Sequence, residues 1–320
     1  MDEFQLIDRY FRELANDETS IILGIGDDAA ILAVLPDEQL LVSTDTHVEN
    51  VHFRAGADAD KISYRAFASS ASDIVAMGGR ARWASLALTM PSADHRWLKK
   101  FTSGAAQALG GAGATLIGGD TTSGPLTITW NIIGTIAPGD ALRRDGARVG
   151  DSIFVTGSIG GAAGALAHGL IDNEPQDDVH KRLADRYWYP QPQYDFAPEI
   201  VGIASSCIDI SDGLIADLAH IVHASGCGAE INMDNLPFSP GLIQLVGATV
   251  ANTLAACGGD DYELCFTVPE QRKSLIVELA SRKEVAVTEI GRITRGSEVK
   301  VLDRNGAVVA IDKQGYKHFE

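Results

Sequence analysis

ATLIGGDTTSG, residues 114–124, carries a short apolar run over 114–118 into a glycine pair, an aspartate and four small residues. A strand that ends in Gly-Gly-Asp places a carboxylate on a tight turn. The same chemistry recurs in GIGDD (24–28), STDT (43–46), DISDG (209–213) and GGDDYE (258–263), with Asp73 in ASSASDIVAMGG (68–79) as a further carboxylate. Carboxylates beside turn-permitting residues suit hard cations, which take oxygen ligands and keep waters and substrate phosphates in their shell. Gathered without cations to share them, so many carboxylates would repel one another until some took up protons. Taken singly, each segment reads as a turn or a helix N-cap. Five together point to a multi-metal site for a polyphosphate.

Outward from these segments, helical and strand-like stretches alternate. Phe4, Ile7, Tyr10, Phe11 and Leu14 have helical spacing over 3–15. Strands are expected at 39–46, 81–90, 114–118 and 125–137, and helices at 60–77 and 94–109. The turn-rich PGDALRRDGARVGD (138–151) marks a domain junction. Beyond it, SIFVTG (152–157) starts a second alternating series. Helices are expected at 178–188, 194–204, 214–225 (closed by Gly226) and 270–283, with strands at 206–210, 262–268 and 285–294. Asn305-Gly306 between apolar runs is a hairpin signal. The class is α/β (α+β) with two domains, 1–140 and 141–320.

The bulk numbers agree with a globular protein. The chain has 320 residues, 45% hydrophobic and 22% charged. Its net charge of −17 argues against nucleic acid as a partner, since phosphate contacts need clustered Lys and Arg. An acidic protein that takes a nucleotide must do so through cations, backbone amides and a few placed basic groups. No apolar run approaches a membrane span; the best candidate, 242–256, is broken by Gln244, Gly247 and Asn252. The acidic start MDEFQLIDRY is unlike a signal peptide, so a cytoplasmic location is expected. Cys207, Cys227, Cys257 and Cys265 form no CxxC pair and read as buried thiols.

No Gly-Lys dipeptide occurs, so a P-loop is excluded, and no GxGxxG follows a strand. Asp212 precedes the helix at 214 and could equally be its cap; Asp209 could not. The loop 157–164 could bind phosphate, but close helix–strand packing is the favoured explanation. His220 and His223, at i,i+3 without a third ligand, read as surface or interface residues. His52 lies close after STDT. Arg143 and Arg144 sit at the junction, where one could grip a phosphate bidentately or both could simply be solvated.

As a set, GIGDDAAIL, STDT, VHF, SDIVAMG, LIGGDTTSG, DISDGL, ASGCGAEI, DYELCFTVP and QGY resemble the thiamine-monophosphate kinase family over nearly the whole chain. That family belongs with aminoimidazole ribonucleotide synthetase, selenophosphate synthetase and a hydrogenase-maturation protein. The resemblance implies phosphoryl transfer from ATP to thiamine monophosphate in a homodimer whose N-terminal domains pair into a β-barrel. It implies magnesium ligation by Asp27, Ser43, Thr44, Asp45, Asp73, Asp120, Asp209 and Asp212. Of these, Asp45, Asp120 and Asp212 are the expected catalytic carboxylates. It implies ATP contacts from Gly119, Asp120, Arg144 and Ser211, and thiamine-side contacts from His52, Asp260 and Tyr316. Asp260 stands where the family usually has Glu, and QALGGAGAT (107–115) lacks a tyrosine often found near the nucleotide.

The acceptor implied is itself a phosphate, with a second pKa of about 6, and needs no general base. The remaining task is to bring anionic groups together, which is electrostatics and positioning. Tyr316 could meet the thiazolium by a cation–π contact. Two other possibilities remain: an aminoimidazole ribonucleotide synthetase-like ATP-dependent ligase, and a non-catalytic nucleotide- or cation-binding module. A selenophosphate synthetase would want a reactive Cys before Cys207, and the hydrogenase relative a C-terminal Cys where this chain ends YKHFE.

Overall fold

The computed structural model describes residues 3–16, 18–172, 174–310 and 315. The chain divides into two compact units, one of Met1–Ile74 with Gly79–Gly139, the other of Val75–Gly78 with Asp140–Glu320.

The first unit opens with a helical segment, α1 (Glu3–Leu6) continuing through one wide and one tight turn to Leu14. A two-stranded ribbon follows, β1 (Ile21–Leu23) against β2 (Ile31–Leu32). Its main sheet has the order β3-β6-β4-β5, made of β3 (Gln39–Val48), β4 (Arg80–Met90), β5 (Thr115–Ser123) and β6 (Thr127–Ile136). Only the β4–β5 pair is parallel. Parallel neighbours need a crossover, and α3 (His95–Ala112) supplies it. Asp94 caps α3 by accepting from the Trp97 amide at 2.8 Å, and Gly113 ends it with φ of 68°. The second helix, α2 (Ala59–Ala76), lies on one sheet face. Its run of alanines and serines lets it approach closely: a Cβ on Gly134 of β6 would lie 2.4 Å from Ile74 Cγ2. Phe67, Phe101, Trp83 and Trp130 are fully buried there, each contributing about 2–3 kcal/mol by leaving water.

The second unit holds a six-stranded sheet of order β12-β9-β11-β7-β10-β8. The strands are β7 (Ser152–Thr156), β8 (Ser206–Asp209), β9 (Gly228–Asn232), β10 (Leu264–Val268), β11 (Val287–Thr294) and β12 (Val299–Leu302). All pairs are antiparallel except β9–β12. Every residue of β7, β8 and β10 is buried, because both faces are covered. Ile153 and Val155 face one core with Leu214, Leu218 and Ile221, while Phe154, Phe266 and Ile276 face another. The helices in order are α4 (Gly161–Ala167), α5 (Asp178–Trp188), α6 (Leu214–Ser225), α7 (Leu242–Val246), α8 (Ala248–Cys257) and α9 (Lys273–Lys283).

Most expected elements are present, with α5 and α6 matching the expected residues and Gly226 closing α6 at φ of 63°. The helix expected at 194–204 is reduced to a tight turn, Ala197–Ile200, with Pro198 near its start. Tyr194, Phe196, Val201 and Ile203 still reach the core, so their spacing reflects burial without a helix. The Asn305-Gly306 turn closes a single bridge, Leu302 to Val308, not a long hairpin.

Candidate functional site

In the first unit the alternation of β3 sorts the STDT segment onto two faces. Ser43 and Asp45 point to the α2 side, where the Ser43 hydroxyl donates to Asp73 at 2.5 Å. Asp45 lies close enough to feel the Asp73 charge. Its carboxyl is pushed up to about 6, chiefly by burial, then by Asp73, against a lowering hydrogen bond from Ser70. Thr44 pairs with Asn131 on β6 and faces the other way; the Asn131 amide donates to Thr44 Oγ1 at 2.6 Å. Asp120 pairs with Ala87, which pairs with Thr129, so it shares that opposite face with Thr46.

Asp120 and Gly119 also line a cleft of about 820 Å³ with Asp27, Asp28, Gly26 and Arg12. Phe11, Leu32 and Ile133 supply apolar lining there. Gly119 has no alternative residue: its φ is 156°, and a Cβ would sit 1.9 Å from the Leu86 carbonyl oxygen. The glycine lets β5 lie against β4 where the aspartate emerges. His52 follows β3, and its Nδ1 accepts from the Val48 amide at 3.0 Å. Beside it His47 is buried, and burial, followed by Arg65 and His52, holds its imidazole down at about 3. Neutral His47 accepts or donates at the Ser69 hydroxyl.

In the second unit two of the acidic segments are bonded to each other. The amide of Ile210 donates to the Glu263 carbonyl, that of Tyr262 to Ile210, and that of Asp260 to Ser211, each at 2.8 Å. Asp209, Ser211 and Asp212 thus lie along one loop, with Asp260 on the loop alongside. Gly315 sits against the Asp212 carbonyl. Tyr316, the third expected acceptor contact, lies outside the described residues. Arg144 is exposed, whereas Arg143 forms two hydrogen bonds with Asp145 at 2.9 and 2.8 Å.

Asp212 makes no cap on α6, whose N-cap is Gly213. The residue that serves the loop backbone is Asp217, four residues beyond Gly213 at the end of the motif. Its carboxyl is pushed up to about 7 by burial, then by Asp209 and Asp212. Sequence reasoning missed it, although an acidic residue in the apolar stripe Leu214, Leu218, Ile221, Val222 was a usable signal.

Asp261 and Glu263 were likewise missed. Asp260 and Tyr262 have φ of 71° and 52°, so the segment does not alternate as a strand. The Tyr262 hydroxyl donates to Asp260 at 3.2 Å. Between them Asp261 is buried and accepts from the Gly160 amide with both oxygens, at 3.0 and 2.8 Å. Burial raises its carboxyl to about 8. Glu263 accepts from Thr156 at 2.7 Å, Arg186 at 2.8 Å and Gln193 at 2.8 Å. These anchors hold a strained loop that a short surface turn would not sustain. The loop after β7 is shaped by the same carboxylates: a Cβ on Gly157 would meet Glu263 at 2.0 Å. The glycines at 157–164 serve packing.

Among the described residues, no group of three or more His, Cys, Asp or Glu side chains is arranged to hold a metal ion. The donors are nevertheless all oxygens: Asp45 lies beside Asp73 in the first unit, and in the second Asp209 and Asp212 both lie close enough to Asp217 to raise its carboxyl. That set fits a hard cation such as magnesium. No helix among the described residues is long and apolar enough to cross a membrane.

The family model for the AIR synthase related protein N-terminal domain matches residues 26–136, and that for its C-terminal domain matches 148–304. The thiamine-monophosphate kinase of Escherichia coli K12 is 42% identical over 320 residues, 99% of this chain and 98% of the relative. A crystal structure of thiamine-monophosphate kinase from Stenotrophomonas maltophilia K279a superposes with a TM-score of 0.88 at 39% identity, covering 97% of this chain and 98% of that one. A solved structure described as AaThiL complexed with AMPPCP and TMP has a TM-score of 0.79 at 30% identity, over 99% and 97%.

Proposed function

The chain belongs to the thiamine-monophosphate kinase family, and from that membership we infer that it transfers the γ-phosphoryl group of ATP to thiamine monophosphate, giving thiamine diphosphate and ADP. The observation that carries this is collinear similarity over almost the full length, to relatives of that name and to a solved complex with AMPPCP and TMP.

The chemistry asks little of any single side chain. An oxygen of the acceptor phosphate forms a bond to the γ-phosphorus as the bond to the β,γ-bridging oxygen breaks, and ADP leaves with that electron pair. The acceptor is already ionised at neutral pH, so no base is needed. Asp27, Ser43, Thr44, Asp45, Asp73, Asp120, Asp209 and Asp212 are the residues proposed to hold magnesium, which when bound supplies positive charge to the crowded phosphates. Gly119, Asp120, Arg144 and Ser211 are proposed for the nucleotide. His52, Asp260 and Tyr316 are proposed for the thiamine side. The acidic surface also suits a substrate that carries a thiazolium cation.

Direct transfer predicts no phosphoenzyme. With γ-labelled ATP alone the protein should stay unlabelled, and the label should appear in thiamine diphosphate once thiamine monophosphate is added. Stoichiometric label on the chain, stable to gel filtration, would contradict direct transfer.

A homodimer through residues 1–140 is proposed, with the N-terminal sheets pairing into a barrel. Its support is the edge strand β3, whose Leu40 and Val42 are 48% and 62% exposed on the face away from α2. Edge strands with apolar faces are normally covered. Sedimentation at micromolar concentration should give twice 33.9 kDa; a fully active monomer would refute the proposal. The cytoplasm is the proposed setting, in keeping with four free buried cysteines.

A further inference from the structure

Residue 217 occupies a core position of α6. Leu214, Leu218, Ile221 and Val222 make the buried stripe, and Asp217 falls within it, 2% exposed. A carboxylate at such a place is costly unless its oxygens are bonded. One oxygen, Oδ2, accepts from three successive amides: Ser211 at 3.0 Å, Asp212 at 3.1 Å and Gly213 at 3.0 Å. Successive amides turned toward one point form a concave nest that ordinarily binds an anion. Here the anion is part of the chain. The nest lies ahead of the first turn of α6, so Asp217 works backward from inside the helix, where a cap would work forward from its end.

The loop has no slack. Gly213 has φ of 124°, and a Cβ there would lie 2.7 Å from the Cys257 carbonyl. The carbonyls of Ile210 and Ser211 receive the amides of Tyr262 and Asp260. Asp217 therefore grips the amide side of a loop whose carbonyl side grips the 258–263 segment. With the amides satisfied internally, they are not offered to substrate phosphate, and what the loop still offers is its side chains, the carboxylates of Asp209 and Asp212 and the hydroxyl of Ser211.

We propose that Asp217 is a positioning residue for phosphoryl transfer: by filling the amide nest of 211–213 it sets Asp209 and Asp212 for cation binding and Asp260 for the acceptor. The proposal rests on the kinase reading above. It separates a buried aspartate that acts on the site from one that merely fills the core.

The test compares Asp217→Asn with Asp217→Leu, using hydrogen exchange of the full-length protein without nucleotide or metal, and steady-state kinetics over a magnesium titration. Asparagine keeps the shape and one acceptor oxygen but loses the charge; leucine restores apolar packing and loses every acceptor. In both variants the amides of 211–213 should exchange faster, by on the order of tenfold or more, with the rest of α6 and β8 protected as in the native protein. Turnover should fall on the order of 10- to 100-fold in Asp217→Asn and further in Asp217→Leu. Half-saturating magnesium should rise while the KM for ATP changes less. Unchanged exchange at 211–213, a wild-type magnesium dependence, or faster exchange throughout α6 and β8 would each overturn the proposal, the last by reducing Asp217 to a core residue. Should the native protein itself form no thiamine diphosphate, the kinase reading fails, while the exchange measurement still decides whether Asp217 holds the loop.

Discussion

Asp45→Asn should lower turnover by at least about 100-fold and at the same time make the metal-free protein more stable. The first effect is the scale expected when a group that organises transition-state charge is lost. The second follows from the Asp45 environment. Its carboxyl titrates at about 6 in place of 3.8, because it is buried beside Asp73. A carboxylate whose folded value is raised favours the protonated fold. The resulting penalty is absent below about pH 4, grows toward pH 6, and is full above it. Removing the charge should recover about 1–2 kcal/mol at pH 7, after allowance for solvent screening. That corresponds to a few degrees in Tm for a protein of this size. Magnesium should stabilise the native protein and have less effect on the variant. Asp120→Asn should lose activity to a similar degree, but Asp120 is exposed, so little change in metal-free stability is expected. Near-normal turnover of either variant at saturating magnesium would remove that residue from the proposed site.

The acceptor phosphate should be indispensable. Thiamine monophosphate is expected to exceed free thiamine in kcat/KM by roughly a thousandfold or more. Free thiamine offers a neutral hydroxyl, and proton removal from it requires a placed base. His47 is buried and already engaged with Ser69, and His52 spends its Nδ1 on the Val48 amide. Neither is poised for that task. Free thiamine also lacks the phosphate through which bound cations would align the two reacting groups, so much of the positioning advantage is lost. Asp260 is proposed for the organic part of the acceptor. It is fixed at φ of 71° next to the buried anchor Asp261, with the Tyr262 hydroxyl on its carboxylate. Comparable kcat/KM for the two acceptors would mean that the acceptor site is assigned to the wrong residues.

The elements of this fold were legible where burial is periodic and the ends are signalled. Helix α6 ends at Gly226 because a left-handed residue closes it, and α3 begins at Asp94 because its side chain satisfies an amide. The stretch 194–204 misled because Phe196 and Ile200 are buried, and Tyr194 and Val201 partly buried, along an irregular path that spacing alone does not distinguish from a helix. Strand β9 went unread within ASGCGAEI, where only five residues, beginning on Gly228, give too short a pattern. For the site, the glycine–aspartate segments were visible in composition, but their sorting was not. That Thr44 and Asp120 face away from Ser43 and Asp45 depends on strand register, which is a property of the folded sheet. Asp261 and Glu263 escaped for a related reason: each binds the backbone or a side chain of a segment far along the chain, which leaves no local mark in the sequence. Asp217 differs, since it binds nearby amides and its mark was a carboxylate within an apolar helix stripe.

The central claim is that this protein passes the γ-phosphoryl of ATP to a phosphate acceptor. Its most direct test is ADP formation by the purified protein with magnesium and ATP, followed with and without thiamine monophosphate. ADP should appear only with the acceptor and in equal amount to thiamine diphosphate. ADP formed at the same rate without thiamine monophosphate, or no thiamine diphosphate in its presence, would contradict it.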